Sequence, residues 1–186
     1  FRNGRRIGHN TDWSGFAESF RRALPDARRE RVVLFGAGGA GAAVAHALLT
    51  LQTRELLLVD VDFQRARELA AALCNRFGAG RALAADDPAV AMGGADGMVN
   101  ATPVGMAKFP GLPLPADLLV PDIWVSEIVY FPLETQLLTD AKARGCRTMS
   151  GAGMAVFQAA EAFHLFSGQA AKAGRMLAHF AELTVP

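Results

Sequence analysis

The sequence predicts a doubly wound α/β domain, a mostly parallel sheet with helices on both faces. Three observations predict it. Short runs of uncharged, apolar residues alternate with amphipathic or Ala/Leu-rich segments, as strands buried on both faces alternate with the helices that cover them. A glycine-rich turn, Gly36-Ala37-Gly38-Gly39-Ala40-Gly41, separates the first such run from the first helical one. Finally, 186 residues that are 51% hydrophobic and 20% charged supply a core for one ordinary domain.

In chain order, the first helix is expected over 13–24. Residues 31–36 are β-branched and apolar and read as a buried strand, and 40–51 follow as a helix. Residues 55–60 read as a second buried strand. Over 63–77, Leu69, Leu73 and Phe77 recur on one face of a helix that Gly78 ends. A weak strand at 81–85, a short helix opened by Asp87-Pro88 and a strand at 96–102 come next. Five prolines make 103–122 an irregular loop. Then come a strand at 123–129, a helix at 132–143 closed by Gly145, a last strand at 146–149 and two helices, 152–166 and 171–183.

Other classes lose ground on composition. Nineteen basic against eighteen acidic residues leave a net charge of +1, without the basic excess of a nucleic-acid binder. Cys74 and Cys146 lack metal-ligand or C-x-x-C spacing, and His9, His46, His164 and His179 show no ligand spacing either, so no metal is expected. Residues 32–51 carry no formal charge over a bilayer-spanning length. Their glycine-rich middle and His46 argue against a membrane span. No signal peptide is visible, and a cytoplasmic protein is the reading. The opening Phe1-Arg2-Asn3-Gly4-Arg5-Arg6 looks like a β-hairpin around an Asn-Gly turn with one arm missing, so a piece of a longer protein is expected.

Gly36-x-Gly38-x-x-Gly41 lies between a strand and a helix, the context in which this spacing binds a dinucleotide. The first glycine permits the turn, the second lets backbone approach a pyrophosphate, and the third lets helix and strand pack closely. The loop's six residues, Gly36, Ala37, Gly38, Gly39, Ala40 and Gly41, are therefore candidate cofactor contacts, beside a helix N-terminus that offers N–H groups to phosphate. Asp60 ends the second strand where a carboxylate would accept the adenine ribose hydroxyls. The same carboxylate would repel a 2′-phosphate by roughly 4 kcal/mol at about 4 Å and an effective dielectric near 20. NAD is the expected cofactor, NADP the lesser one. Arg65, one helical turn on, pairs with Asp60 or stacks beside the adenine.

Gly8-His9-Asn10-Thr11-Asp12, Asn100-Ala101-Thr102-Pro103-Val104-Gly105-Met106 and Gly151-Ala152-Gly153-Met154-Ala155-Val156-Phe157-Gln158, with the glycine loop, resemble the shikimate dehydrogenase family over nearly the whole chain. Asp60-Val61-Asp62 looks like its NAD-preferring quinate/shikimate branch, where the NADP enzymes have Asn-Arg-Thr. The resemblance implies a Rossmann-like NAD(P)-dependent dehydrogenase that oxidises quinate or shikimate to the 3-dehydro ketone. It makes Asp12 the catalytic carboxylate, working with a lysine of an N-terminal substrate domain, and Tyr130 and Gln158 substrate contacts. Asn100 and Thr102 would flank the cofactor, and Gly151 and Met154 would border the nicotinamide. Asp12 also reads as one of a helix N-cap cluster with Asn10 and Thr11, Tyr130 as a strand-end aromatic, and Gln158 as a buried amide with a partner.

The lysines present, Lys108, Lys142 and Lys172, do not occupy the family lysine's position. The expected organisation is thus 1–14 as a remnant of the substrate domain and hinge, 15–150 as the NAD-binding domain, and 151–186 as helices packing back toward the substrate domain. The expected partner is a small-molecule substrate, with no nucleic acid or membrane, in a monomer or homodimer. The other readings are an NADP-dependent shikimate dehydrogenase, a related two-domain dehydrogenase of methylene-tetrahydrofolate or glutamyl-tRNA type, and a non-catalytic dinucleotide-binding module.

Overall fold

The computed structural model describes residues 4–183. Residues 1–3, and with them the first half of the expected hairpin, lie outside it, as do residues 184–186. Six strands, β1 (Arg31–Phe35), β2 (Glu55–Val59), β3 (Ala82–Ala84), β4 (Gly97–Asn100), β5 (Trp124–Glu127) and β6 (Arg147–Met149), form one sheet in the order β3-β2-β1-β4-β5-β6. Every pairing is parallel. The helices are α1 (Asp12–Ala23), α2 (Gly39–Thr50), α3 (Phe63–Phe77), α4 (Pro88–Met92), α5 (Gln136–Ala143), α6 (Ala152–Ser167) and α7 (Ala173–Leu183).

Alternating side chains along each strand divide the core in two. Val32, Leu34, Leu56, Leu58, Val99 and Trp124 pack against α1, α2, α3 and α6. Val33, Phe35, Leu57, Val59, Met98 and Val125 pack against α4, α5 and the proline-rich loop, through Leu114, Leu119, Leu137 and Ala141. The chain winds outward from β1 to β3 and then restarts at β4 on the other side of β1. That reversal puts the later connections on the opposite face and opens a crevice at the C-terminal ends of β1 and β4.

The expected doubly wound sheet is present, all parallel. The strands are one to three residues shorter than read, β1 and β2 losing the C-terminal residue, β6 the N-terminal one and the others residues at both ends. The helix expected from 132 begins only at Gln136, since Thr135 adopts an extended backbone and its hydroxyl accepts the Leu138 N–H as an N-cap. The last helix starts at Ala173 rather than 171. The loop over 103–122 carries one 3-10 turn, Ala116–Leu118. Among the described residues no helix is long and apolar enough to cross a membrane.

Helices α1 and α6 cross unusually closely and run antiparallel. A β-carbon on Gly15 would lie 2.6 Å from the Gln158 backbone nitrogen and 2.9 Å from the Met154 carbonyl oxygen, while one on Gly153 would collide with Ser19. Gly15→Ala should therefore lower stability. Overpacking costs about 1–3 kcal/mol, more than the ~1 kcal/mol of helix propensity that alanine returns. Gly174→Ala in α7, where the new methyl meets open space, should lower nothing. Thermal unfolding of the two variants checks this, and equal midpoints would count against the tight crossing.

Candidate functional site: a crevice at the sheet's switch point

The glycine loop folds as it does for reasons that differ at each glycine. Gly36 has φ +97°, a conformation that favours glycine, and a β-carbon there would lie 2.7 Å from the Ala101 carbonyl oxygen. A β-carbon on Gly41 would collide with the Gly36 carbonyl, so its absence seats α2 on the end of β1. Gly38 is another matter. Its backbone is extended (φ −77°, ψ −165°), and a β-carbon there or on Gly39 would meet nothing within 4 Å. Space that no part of the protein fills lies in front of these two residues, as a bound pyrophosphate requires. Gly38 caps α2 without a side-chain acceptor, and the first turn of α2 holds no acidic residue. The helix thus presents its first N–H groups and positive dipole end to that space.

Asp60 faces the same loop. One carboxylate oxygen accepts the Ala37 N–H at 2.7 Å and the other the Asp62 N–H at 2.9 Å, and the side chain is 7% exposed. Arg65 lies 3.6 Å from the Asp60 carboxylate and 3.3 Å from that of Asp62, the pairing alternative of the two read from sequence. Asp62 also caps α3 by accepting the Arg65 N–H at 3.2 Å. The loop, Asp60 and Arg65 are brought together.

A second constellation sits at the ends of β4 and β5. Asn100 is wholly buried. Its amide nitrogen donates to the Val104 carbonyl at 2.8 Å and to both Glu127 carboxylate oxygens at 3.0 and 3.1 Å. Its amide oxygen accepts the Thr102 N–H at 3.1 Å and hydroxyl at 2.7 Å. With its polar atoms so engaged, the Asn100 side chain shapes the loop from within, and Thr102, partly exposed, ties into it by donating to Asn100 and accepting the Val104 N–H at 3.1 Å. Glu127, which sequence reasoning missed, is 1% exposed. It also accepts the Val129 N–H and the Thr135 hydroxyl, each at 3.1 Å. Burial pushes its carboxyl up to about 7, against the hydrogen bonds from Asn100, Val129, Thr135 and Ile128. The only signal in the sequence was a lone acid inside an apolar strand.

The remaining candidates lie elsewhere around the crevice. Gly151 abuts β5's end, where a β-carbon would be 2.5 Å from the Ile128 and Val129 carbonyl oxygens. Met154, expected to border the nicotinamide, is 7% exposed within the core. Tyr130 is half-exposed, its ring 6.5 Å from that of Phe180. Asp12 opens α1, its own N–H donating to Asn10 Oδ1 at 2.9 Å, while Thr11 at the cap position accepts no side-chain cap bond. The antiparallel crossing at Gly15 brings Asp12 within one helical turn of the half-buried Gln158. Trp13 meets His46 with ring centroids 5.2 Å apart. His46 lies seven residues, about 10 Å, along α2 from its first residue. Among the described residues no cluster of three or more His, Cys, Asp or Glu is placed to hold a metal ion.

A doubly wound sheet with a glycine loop and a strand-end acid at its switch point defines a Rossmann-like nucleotide-binding domain. No protein-family profile matches the chain. Individual relatives do. It is 59% identical, over 98% of its length, to a shikimate dehydrogenase (NADP(+)) of Streptomyces avermitilis, and 46% identical, over 97%, to a quinate/shikimate dehydrogenase (NAD(+)) of Corynebacterium efficiens. The quinate dehydrogenase of Corynebacterium glutamicum, solved in complex with NAD, superposes with a TM-score of 0.90 at 42% identity, over 94% of this chain and 63% of that one. The chain belongs to the shikimate dehydrogenase family. It spans 64% of the length of the two curated relatives named here.

Glu127 gives stability a measurable pH dependence. Between the carboxyl's ordinary 4.5 and about 7 the folded chain holds a proton that the unfolded chain has released, so rising pH favours unfolding across that window. The loss amounts to about 3 kcal/mol at 1.36 kcal/mol per unit. Urea unfolding at pH 5 and 7.5 should show wild type losing stability relative to Glu127→Gln. A difference that does not change with pH would contradict it.

Proposed function

We propose that the chain is the cofactor half of an NAD-dependent dehydrogenase that oxidises quinate or shikimate to the 3-dehydro ketone. The observation that carries this is the Asp60 carboxylate, turned onto the glycine loop and held there by the Ala37 and Asp62 N–H groups. Two backbone donors leave the carboxylate with acceptor capacity for a ribose diol. The residues present fit a dinucleotide: open space at Gly38 and Gly39 for the diphosphate, and the loop after β4 with Thr102 on the nicotinamide side. When bound, the nicotinamide supplies the hydride acceptor.

This chain's own residues then orient substrate and manage its proton. Oxidation of a secondary alcohol removes a hydride from carbon and a proton from oxygen. Asp12, together with a lysine from the substrate-binding part of the protein, would hold the hydroxyl and manage its proton, a contribution of about 10²–10⁴ in rate when such groups are well positioned. Gln158, a turn away across the α1/α6 crossing, offers both donor and acceptor to a vicinal diol, and Tyr130 supplies a further contact. Residues 151–186 would face the substrate-binding part of the protein. In support, α7 has no buried residue and Phe163 and Phe166 are exposed. The protein would be cytoplasmic, a monomer or homodimer.

NADP is the competing cofactor, favoured by the name of the Streptomyces relative and by Arg65, which could release Asp60 to meet a 2′-phosphate. Charge decides between them. Replacing Asp60 by serine, with a basic residue added beside it, should move the kcat/KM ratio toward NADP by at least about fivefold, and unchanged selectivity would refute the assignment. The reaction itself is tested in the full-length protein by mixing NAD with quinate or shikimate and following NADH absorbance. Asp12→Asn should abolish turnover and leave NAD affinity, read by calorimetry, within about twofold. Absence of NADH formation by wild type would point to a binding module instead.

A further inference from the structure

Glu127, 1% exposed, is the most deeply buried acid among the described residues, and the proton and hydride chemistry above does not use it. Its surroundings are unusual because each partner belongs to a different part of the crevice. Asn100 brings in β4 and, through Thr102 and Val104, the loop that follows it. The Val129 N–H brings in the strand end next to Tyr130. Thr135 brings in α5, whose first turn its hydroxyl also caps. Gly105, at φ +106°, fits against the carboxylate so closely that a β-carbon would lie 3.3 Å from Glu127 Oε2.

We infer that Glu127 is a positioning residue for the reaction, a single carboxylate that sets the loop bearing Thr102 and the strand end bearing Tyr130 relative to each other. The inference rests on the proposed function for its catalytic consequence and on hydrogen-bond geometry for its structural one. Donors converge on both oxygens, so the hydrogen bonds favour the ionised form while burial opposes it. A proton on Oε2 would face the Thr135 hydroxyl, which would then have to turn and accept, and Asn100 would lose part of the charge that orients it. The loop would loosen as the carboxyl protonates.

The groups that face Glu127 are all uncharged: Asn100 from β4, Thr135 from α5, and the backbone N–H groups of Ile128 and Val129. Of the titratable residues in the packed segments, Lys108, Asp117 and Asp122 in the loop, Tyr130 beyond β5, Glu134 ahead of α5 and Lys142 within it are exposed and Asp140 is half-buried; none is among the groups that hold Glu127, and Glu134 pairs with Lys142 at 2.7 Å. Protonation near pH 7 therefore reports Glu127 itself.

The test uses full-length protein, wild type beside Glu127→Gln and Glu127→Asp. In wild type the amide resonances of Thr102, Val104 and Val129 should titrate together with a midpoint near 7, and in Glu127→Gln that titration should vanish. With quinate or shikimate, Glu127→Gln should lower kcat about 10- to 100-fold, the scale of a small misplacement at a reacting centre. KM for NAD should stay within about twofold, and the fall in wild-type kcat below pH 7 should flatten. Glu127→Asp keeps a carboxylate and should restore part of kcat together with the titration, and it carries the comparison if the amide variant does not fold. Wild-type kcat and pH profile in Glu127→Gln, or amides that still titrate there, would overturn the inference. Failure of wild type to bind NADH, read by its fluorescence, would instead overturn the cofactor reading, and the amide titration would still decide for or against Glu127.

Discussion

The whole crevice depends on one close approach of backbone to backbone. Gly41 lies against the Gly36 carbonyl with no room for a β-carbon, and this seats the N-terminus of α2 on the end of β1. The neighbouring parts follow from it. Gly36 packs on Ala101 and so fixes the exit of β4, while the Ala37 N–H holds the Asp60 carboxylate and so fixes the exit of β2. Three strand ends thus take their positions from a turn of six residues, and a side chain at either outer glycine would push them apart.

Two carboxylates serve this arrangement under opposite conditions. Asp60 stands at the crevice edge, where its pairing with the half-exposed Arg65 at 3.6 Å adds little. Two backbone N–H groups give it its direction, which suits a group that must keep acceptor capacity for a ligand. Glu127 stands inside the protein with its acceptor sites engaged, and there desolvation outweighs hydrogen bonds from four residues. The first carboxylate is arranged to meet something from outside. The second joins three pieces of chain that the topology alone would only bring near one another.

The sheet was legible because parallel strands covered on both faces need unbroken apolar runs, and 31–36 and 55–60 are such runs. The glycine loop was legible because its function requires fixed spacing along the chain, and Asp60 because it ends a readable strand. Glu127 was not legible, since its importance comes from Asn100, 27 residues away, through pairing between β4 and β5. The start of α5 was misread for a related reason. Residues 132–134 have helical neighbours and no strong breaker after Pro132, and only the Thr135 hydroxyl, shared between Leu138 and Glu127, shows where the turn begins. Asp12 and Gln158 were named through family likeness, and their nearness to each other comes from the Gly15 crossing, which no local pattern announces.

Gly38 separates two demands that usually coincide. Its torsions suit any residue and its surroundings are vacant, so a methyl group there would leave the architecture as it is. The volume that methyl would fill belongs to no atom of this polypeptide. At that single position, the competence to fold and the competence to accommodate a guest are written independently.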